Sequence, residues 1–169
     1  MTTRIQLSMY VPEPQAAEIN AVRRLLDPIQ ANLIPAHVTL CREDELTSIN
    51  TASLACRLSD ARAKSFTLHF GKPQIFHQHG ILLPCIAGDE PFHALRRHVL
   101  ASTAVRHHAA HITLAHPRNP KSAGNSLASA NLLPEMLAIH FTRVALIEQT
   151  GAMPWRVLQT CEIHASNQQ

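Results

Sequence analysis

The tetrad His37-Val38-Thr39-Leu40 is written a second time, 74 residues later, as His111-Ile112-Thr113-Leu114. Each copy alternates polar and aliphatic residues, which is the period of a β-strand, whose side chains point to opposite faces in turn. The aliphatic pair can anchor each strand in a core. The other face then presents an imidazole and a hydroxyl side by side. Two such strands laid near one another offer two imidazoles and two hydroxyls to one cleft, an arrangement suited to gripping a phosphate and moving protons on both sides of it.

The rest of the chain supplies elements to carry these strands. Residues 4–11 alternate and read as a strand ended by Pro12. Residues 14–26 place Ala16, Ile19, Val22, Leu25 and Leu26 at helical spacing. Asp27-Pro28 closes that helix, and residues 32–36 read as a linker that Pro35 keeps extended. After the first tetrad, Glu43, Asp44 and Glu45 read as an acidic loop, and a helix capped by Thr47 or Ser48 runs to about residue 58. Strands follow at 65–70, 74–76 and 81–86, then a helix over 92–102. Beyond the second tetrad come a polar loop at 118–125, a short helix at 126–133, and two closing strands at 139–148 and 155–163. The reading is an α+β chain in which each half is a strand, a helix and a motif strand.

With 169 residues, 46% of them apolar and 16% charged, the chain fits a single folded domain spanning 1–169 and excludes a disordered one. A formal charge of +3 favours small anionic ligands over wholesale coating of nucleic acid, and seven aromatic residues are too few for an extended base-stacking platform. Cys41, Cys56, Cys85 and Cys161 are scattered with no Cys-x-x-Cys pair, which reads as reduced, mostly buried thiols. No secretory leader or apolar run long enough for a membrane span is apparent, so the expected location is cytoplasmic, without membrane association.

Two His-x-Thr-Leu strands half a domain apart resemble the two-histidine (2H) phosphoesterases, the family of the 2′-5′ RNA ligases and RNA 2′,3′-cyclic phosphodiesterases. The resemblance extends over most of the chain. It implies two pseudo-symmetric lobes of mostly antiparallel sheet flanked by helices, with a central cleft. It also implies a chemistry without metal or other cofactor. Carried over residue by residue, His37 and His111 take the catalytic positions and Thr39 and Thr113 the phosphate-binding ones. Two departures stand out: Cys41-Arg42-Glu43 replaces the aromatic residue and Leu-Gly pair that often follow the first motif, and Ala115-His116 precede the arginine at 118.

The expected activity is opening of a 2′,3′-cyclic phosphate on an RNA end or small nucleotide by a monomeric enzyme. Attack and departure at phosphorus are roughly in line, so one imidazole activates water while the other protonates the leaving ribose oxygen. Thr39 and Thr113 can donate to the non-bridging oxygens. The same histidines serve the reverse reaction, 2′-5′ joining of RNA. A binding module for phosphorylated nucleotides or RNA and a metal-dependent hydrolase are the competing classes.

Other residues carry weaker readings. Arg42, His116 and Arg118 flank the tetrads as candidate substrate contacts, and are equally readable as ordinary surface. Tyr10 and Trp155 can stack on a base but read better as packing residues. The run His107-His108-x-x-His111 has metal-ligand spacing only on a helix, and His111 belongs on a strand. His77-x-His79 reads as a solvated turn, and Arg96-Arg97-His98 as the wet face of a helix.

Overall fold

A computed structural model describes residues 2–61 and 64–163. The chain runs β1 (Thr3–Tyr10), α1 (Gln15–Leu26), α2 (Pro28–Leu33), β2 (His37–Cys41), α3 (Glu43–Leu46) and α4 (Thr51–Asp60). It continues through β3 (Phe66–Phe70), β4 (Gln74–Phe76), β5 (Gly80–Ala87), α5 (Glu90–Leu100) and β6 (His111–Ala115). It closes with α6 (Leu127–Ala130), β7 (Leu137–Phe141), β8 (Arg143–Thr150) and β9 (Arg156–Glu162). The architecture is α+β, as the alternation of patterns predicts.

The strands order as β7-β3-β5-β6-β2-β1-β8-β9, with β4 pairing β5 off this path, and every pairing is antiparallel. The order reads symmetrically outward from the β6–β2 junction, so each lobe has four strands in line with a tetrad strand innermost, and β4 adds a fifth to the lobe of β5. The correspondence reaches single residues. His37 pairs with Tyr10 and Thr39 with Ser8 on β1, while His111 pairs with Pro84 and Thr113 with Leu82 on β5. Both inner pairings slip register at the matching place, between Leu7 and Ser8 in one lobe and between Ile81 and Leu82 in the other. Such bulges bend and twist a strand.

Both tetrad strands bury in the same sequence, with histidine and threonine half-buried and the residues after each buried. Val38, Leu40, Ile112 and Leu114 are fully buried in the main core cluster with Ile19 and Leu26 of α1 and Phe92 and Val99 of α5. Removing water from such side chains is worth about 1.5–3 kcal/mol each. The anchored aliphatic face is therefore what holds the polar face of each tetrad in place.

Several local expectations change. The linker expected at 32–36 begins later, because Asp27 caps a further helix: its carboxylate accepts from Gln30 N at 2.9 Å, and Pro28 sits in the first turn, where no N–H is needed. The acidic stretch at 43–45 forms the short helix α3. The next helix is capped by Asn50, which accepts from Ser53 N at 2.8 Å, and not by Thr47 or Ser48. Leu25, expected in the apolar stripe of α1, is exposed. The strand expected over 139–148 is two strands on different lobes, parted at Thr142. Among the cysteines only Cys41 is buried; Cys56 is exposed and Cys85 and Cys161 are half-buried. No helix among the described residues is long and apolar enough to cross a membrane.

Candidate active site

The motif imidazoles are clamped in the same way. His37 Nδ1 lies 2.8 Å from Pro35 O, and His111 Nδ1 lies 2.8 Å from Ala109 O, each carbonyl two residues back along the chain. A carbonyl only accepts, so Nδ1 carries the proton in both rings. Nε2 is left with its lone pair when the ring is neutral, and becomes a donor when the ring is charged. The residues between, Ala36 and Ala110, are both 1% exposed and set the approach to each ring.

One cleft of about 450 Å³ is lined by His37, Thr39, Arg42, His111, Thr113, His116 and Arg118 together. The candidate catalytic, phosphate-binding and substrate-contact residues of the sequence therefore all reach it. Trp155 lines it as well, but Tyr10 does not; Tyr10 sits edge-on to the His37 ring with centroids 6.3 Å apart. The charges at the cleft are Arg4, Arg23, Arg42 and Arg118 against Glu43, so its field favours an anion.

Burial pushes His37 down to about 4; the bond to Pro35 O works the other way, and the charges of Arg23 and His111 push it further down. The ring is thus neutral at pH 7. His116 is likewise held down to about 4, first by burial and then by Arg118. Its Nδ1 accepts from Arg118 N at 3.1 Å and from Arg118 Nε at 3.3 Å, which leaves the proton on Nε2. The loop carrying both residues is pinned by Asp27, which accepts from His116 N at 2.9 Å and from Asn119 Nδ2 at 2.9 and 3.0 Å. Arg42 is exposed at the rim, with Nε 3.6 Å from Asp44 Oδ1.

Four residues escaped the sequence reading as parts of this region. Arg23 lines the cleft and is 1% exposed. Arg4 spans the rim, reaching Gln149 Oε1 and Glu43 Oε2, with its guanidinium carbon 5.2 Å from the Trp155 ring centre. His108 lines the cleft edge-on to His111 at 5.7 Å, and its Nε2 donates to Thr39 O at 3.0 Å. Burial, followed by the charges of Arg96 and His111, puts His108 down to about 4. Arg96, expected on a wet helix face, is 1% exposed: it donates to Leu40 O, to Arg106 O at 3.1 Å and to Glu45 Oε1 at 2.7 Å.

Arg23 and Arg96 extend the internal symmetry. Arg23 on α1 donates to Thr113 O in the second tetrad, 3.1 Å away, and Arg96 on α5 donates to Leu40 O in the first. The signal was present in the sequence. Arg23 falls at heptad spacing with Ala16, Ile19 and Leu26, and Arg96 falls with Phe92 and Val99, so each charge interrupts an apolar stripe.

The remaining histidines do not join this site as ligands. His107 stacks on His93, His108 is tied to Thr39, and no group of three or more His, Cys, Asp or Glu side chains among the described residues is placed to hold a metal. His77 lies on a turn with positive φ at the cleft mouth, and His79 Nε2 donates to Asn119 O at 2.8 Å.

Comparison with known proteins places the chain by family and fold. The family model described as the 2′-5′ RNA ligase superfamily matches residues 11–151. No curated protein sequence matches the chain. Among solved structures, LigT of E. coli complexed with phosphate superposes with a TM-score of 0.58 at 15% identity, covering 96% of this chain and 98% of that one. LigT complexed with 3′-AMP gives 0.57 at 15% identity, with the same coverage. TT0787 of Thermus thermophilus gives 0.55 at 17% identity, covering 97% of this chain and 100% of that one. At these identities the likeness concerns the fold.

Proposed function

The chain belongs to the 2′-5′ RNA ligase superfamily, and from that premise we propose that it opens 2′,3′-cyclic phosphates on RNA ends or small nucleotides. The observation that carries the reading is the duplicated clamp. Two imidazoles have Nδ1 tied to a carbonyl and Nε2 left over, and both line one cleft rich in arginine. A protein that only binds an anion needs no such pair.

In this mechanism His37, neutral because its environment holds it near 4, takes a proton from the attacking water. His111 in its charged form gives a proton to the departing ribose oxygen on the far side of phosphorus. The Thr39 and Thr113 hydroxyls donate to the non-bridging oxygens, where negative charge builds up in the transition state. Arg42, His116 and Arg118 meet the remainder of the nucleotide, His116 through its Nε2–H. The product is a ribose monoester. The 3′-AMP found with LigT is a molecule of that class, which supports the choice of substrate.

The test is a product assay on a panel of 2′,3′-cyclic mononucleotides and cyclic-ended oligonucleotides. Monoester products support the proposal, and the better substrate sets its scope. Absence of turnover across the panel, with phosphate still bound, would favour a binding module. Joined RNA from cyclic and 5′-hydroxyl ends would assign the reverse direction.

A further inference from the structure

Arg23 is the least expected residue at the cleft. A charge taken out of water needs hydrogen bonds to replace its hydration. Arg23 has them at two of its three nitrogens: Nε donates to Thr113 O at 3.1 Å, and Nη1 donates to Ile34 O at 2.7 Å and Asn20 Oδ1 at 3.1 Å. All of these acceptors are neutral carbonyls. The acid that acts on it is Asp27, whose carboxylate is already taken by Gln30, His116 and Asn119. Nη2 has no partner, and it is the only buried side-chain nitrogen or oxygen among the described residues in that condition.

Guanidinium geometry says where that donor lies. Nε–H and one Nη2–H share an edge of the plane, the edge that makes fork contacts with oxyanions. In Arg23 this edge is the one that meets β6 at Thr113, whose side chain lines the cleft. A buried cation with an unused donor therefore lies at a site whose other members suit a phosphate.

We propose that Arg23 is a further residue of this site: its guanidinium, with no carboxylate bonded to it, supplies fixed positive charge beneath the bound phosphate, while Nε holds the Thr113 strand. The inference rests on the phosphate-handling role proposed above. It adds an anion-stabilising group from α1, outside both tetrads. The arrangement places charge where it is screened least, since solvent is excluded from the guanidinium.

The first test uses the unaltered protein, labelled with 15N-arginine and titrated with inorganic phosphate. Arg23 side-chain resonances, identified by their proximity to Thr113, should shift and saturate together with the ring signals of His37 and His111. Histidine signals that respond while Arg23 stays unmoved would overturn the inference and leave the proposed function standing. Silence from all three residues would remove the phosphate site itself, and the inference with it. The second test compares Arg23→Met with Arg23→Lys. The methionine variant should bind phosphate at least about tenfold more weakly and lose about 10²-fold or more in kcat, with the lysine variant recovering much of the affinity. If both variants melt earlier yet bind phosphate as the parent does, Arg23 is only structural. Should neither variant fold, the titration of the unaltered protein decides.

Discussion

Val38 and Ile112 face each other across the single register pair that joins β2 to β6. Each follows a motif histidine directly, so the junction between the lobes lies one residue from both imidazoles. Because the pairing is antiparallel, the strands run past one another in opposite directions, and His37 and His111 come to the cleft from opposite sides. The two tetrads are thus positioned by the seam of the molecule.

If both rings move protons, removing either should stop the reaction and leave the fold. His37→Ala and His111→Ala should each lower kcat on a 2′,3′-cyclic nucleotide by about 10²–10⁴-fold, the usual contribution of a positioned acid or base. Thermal melts should stay near the parent, since the core anchoring of each tetrad is carried by Val38, Leu40, Ile112 and Leu114, which these variants keep. Full turnover in either variant would refute the assignment.

The pH profile should be a bell with an acid limb displaced downward. His37 is held down to about 4 by burial and by the charges of Arg23 and His111, so the base form persists well below the ordinary imidazole range. A fall of kcat/KM near pH 6.5, traceable to His37, would contradict this environment.

Stability should follow the same groups. His37, His108 and His116 lie at about 4 in the folded chain against 6.5 ordinarily. Between those values the unfolded chain binds protons that the folded one refuses, so stability rises with pH there. The contribution is complete above about pH 6.5 and is lost progressively as pH falls toward about 4. Urea midpoints measured across that window should show the slope, and a flat profile would count against it.

Proton transfer by histidine predicts activity that survives excess EDTA. Loss of turnover on chelation, restored by adding a divalent ion, would move the mechanism to the metal-dependent class.

The buried pair of Arg96 and Glu45, with side chains 1% and 9% exposed, should matter far more to folding than a surface pair. Arg96→Met takes the guanidinium from Glu45 Oε1 and Leu40 O, leaving the buried carboxylate only the Arg42 N–H at Oε2, and should cost about 3–5 kcal/mol. Arg143→Ala, which breaks an exposed contact with Glu162, should cost less than about 1 kcal/mol. Comparable losses from both variants in chemical denaturation would undo this ranking.

Legibility in the sequence depended on range. The tetrads, the helices with apolar stripes and the α+β alternation follow from local periodicity, because side-chain direction on a strand or helix is set by position alone. The duplication could be read because both copies keep the same four-residue pattern. Even the break at Thr142 had a local mark: Thr142 and Arg143 are consecutive polar residues, which spoils an alternation of period two.

The sequence by itself determined which faces are apolar and which residues can carry protons. Only the tertiary structure decided that β7 and β8 go to different lobes, that Arg23 and Arg96 are buried, and that each grips the tetrad strand from the other half of the chain. Those outcomes depend on acceptors far along the chain: Thr113 O lies 90 positions from Arg23, and Leu40 O lies 56 from Arg96. A charge within an apolar stripe shows that some partner must exist, but which carbonyl supplies it is settled only when the strands pair.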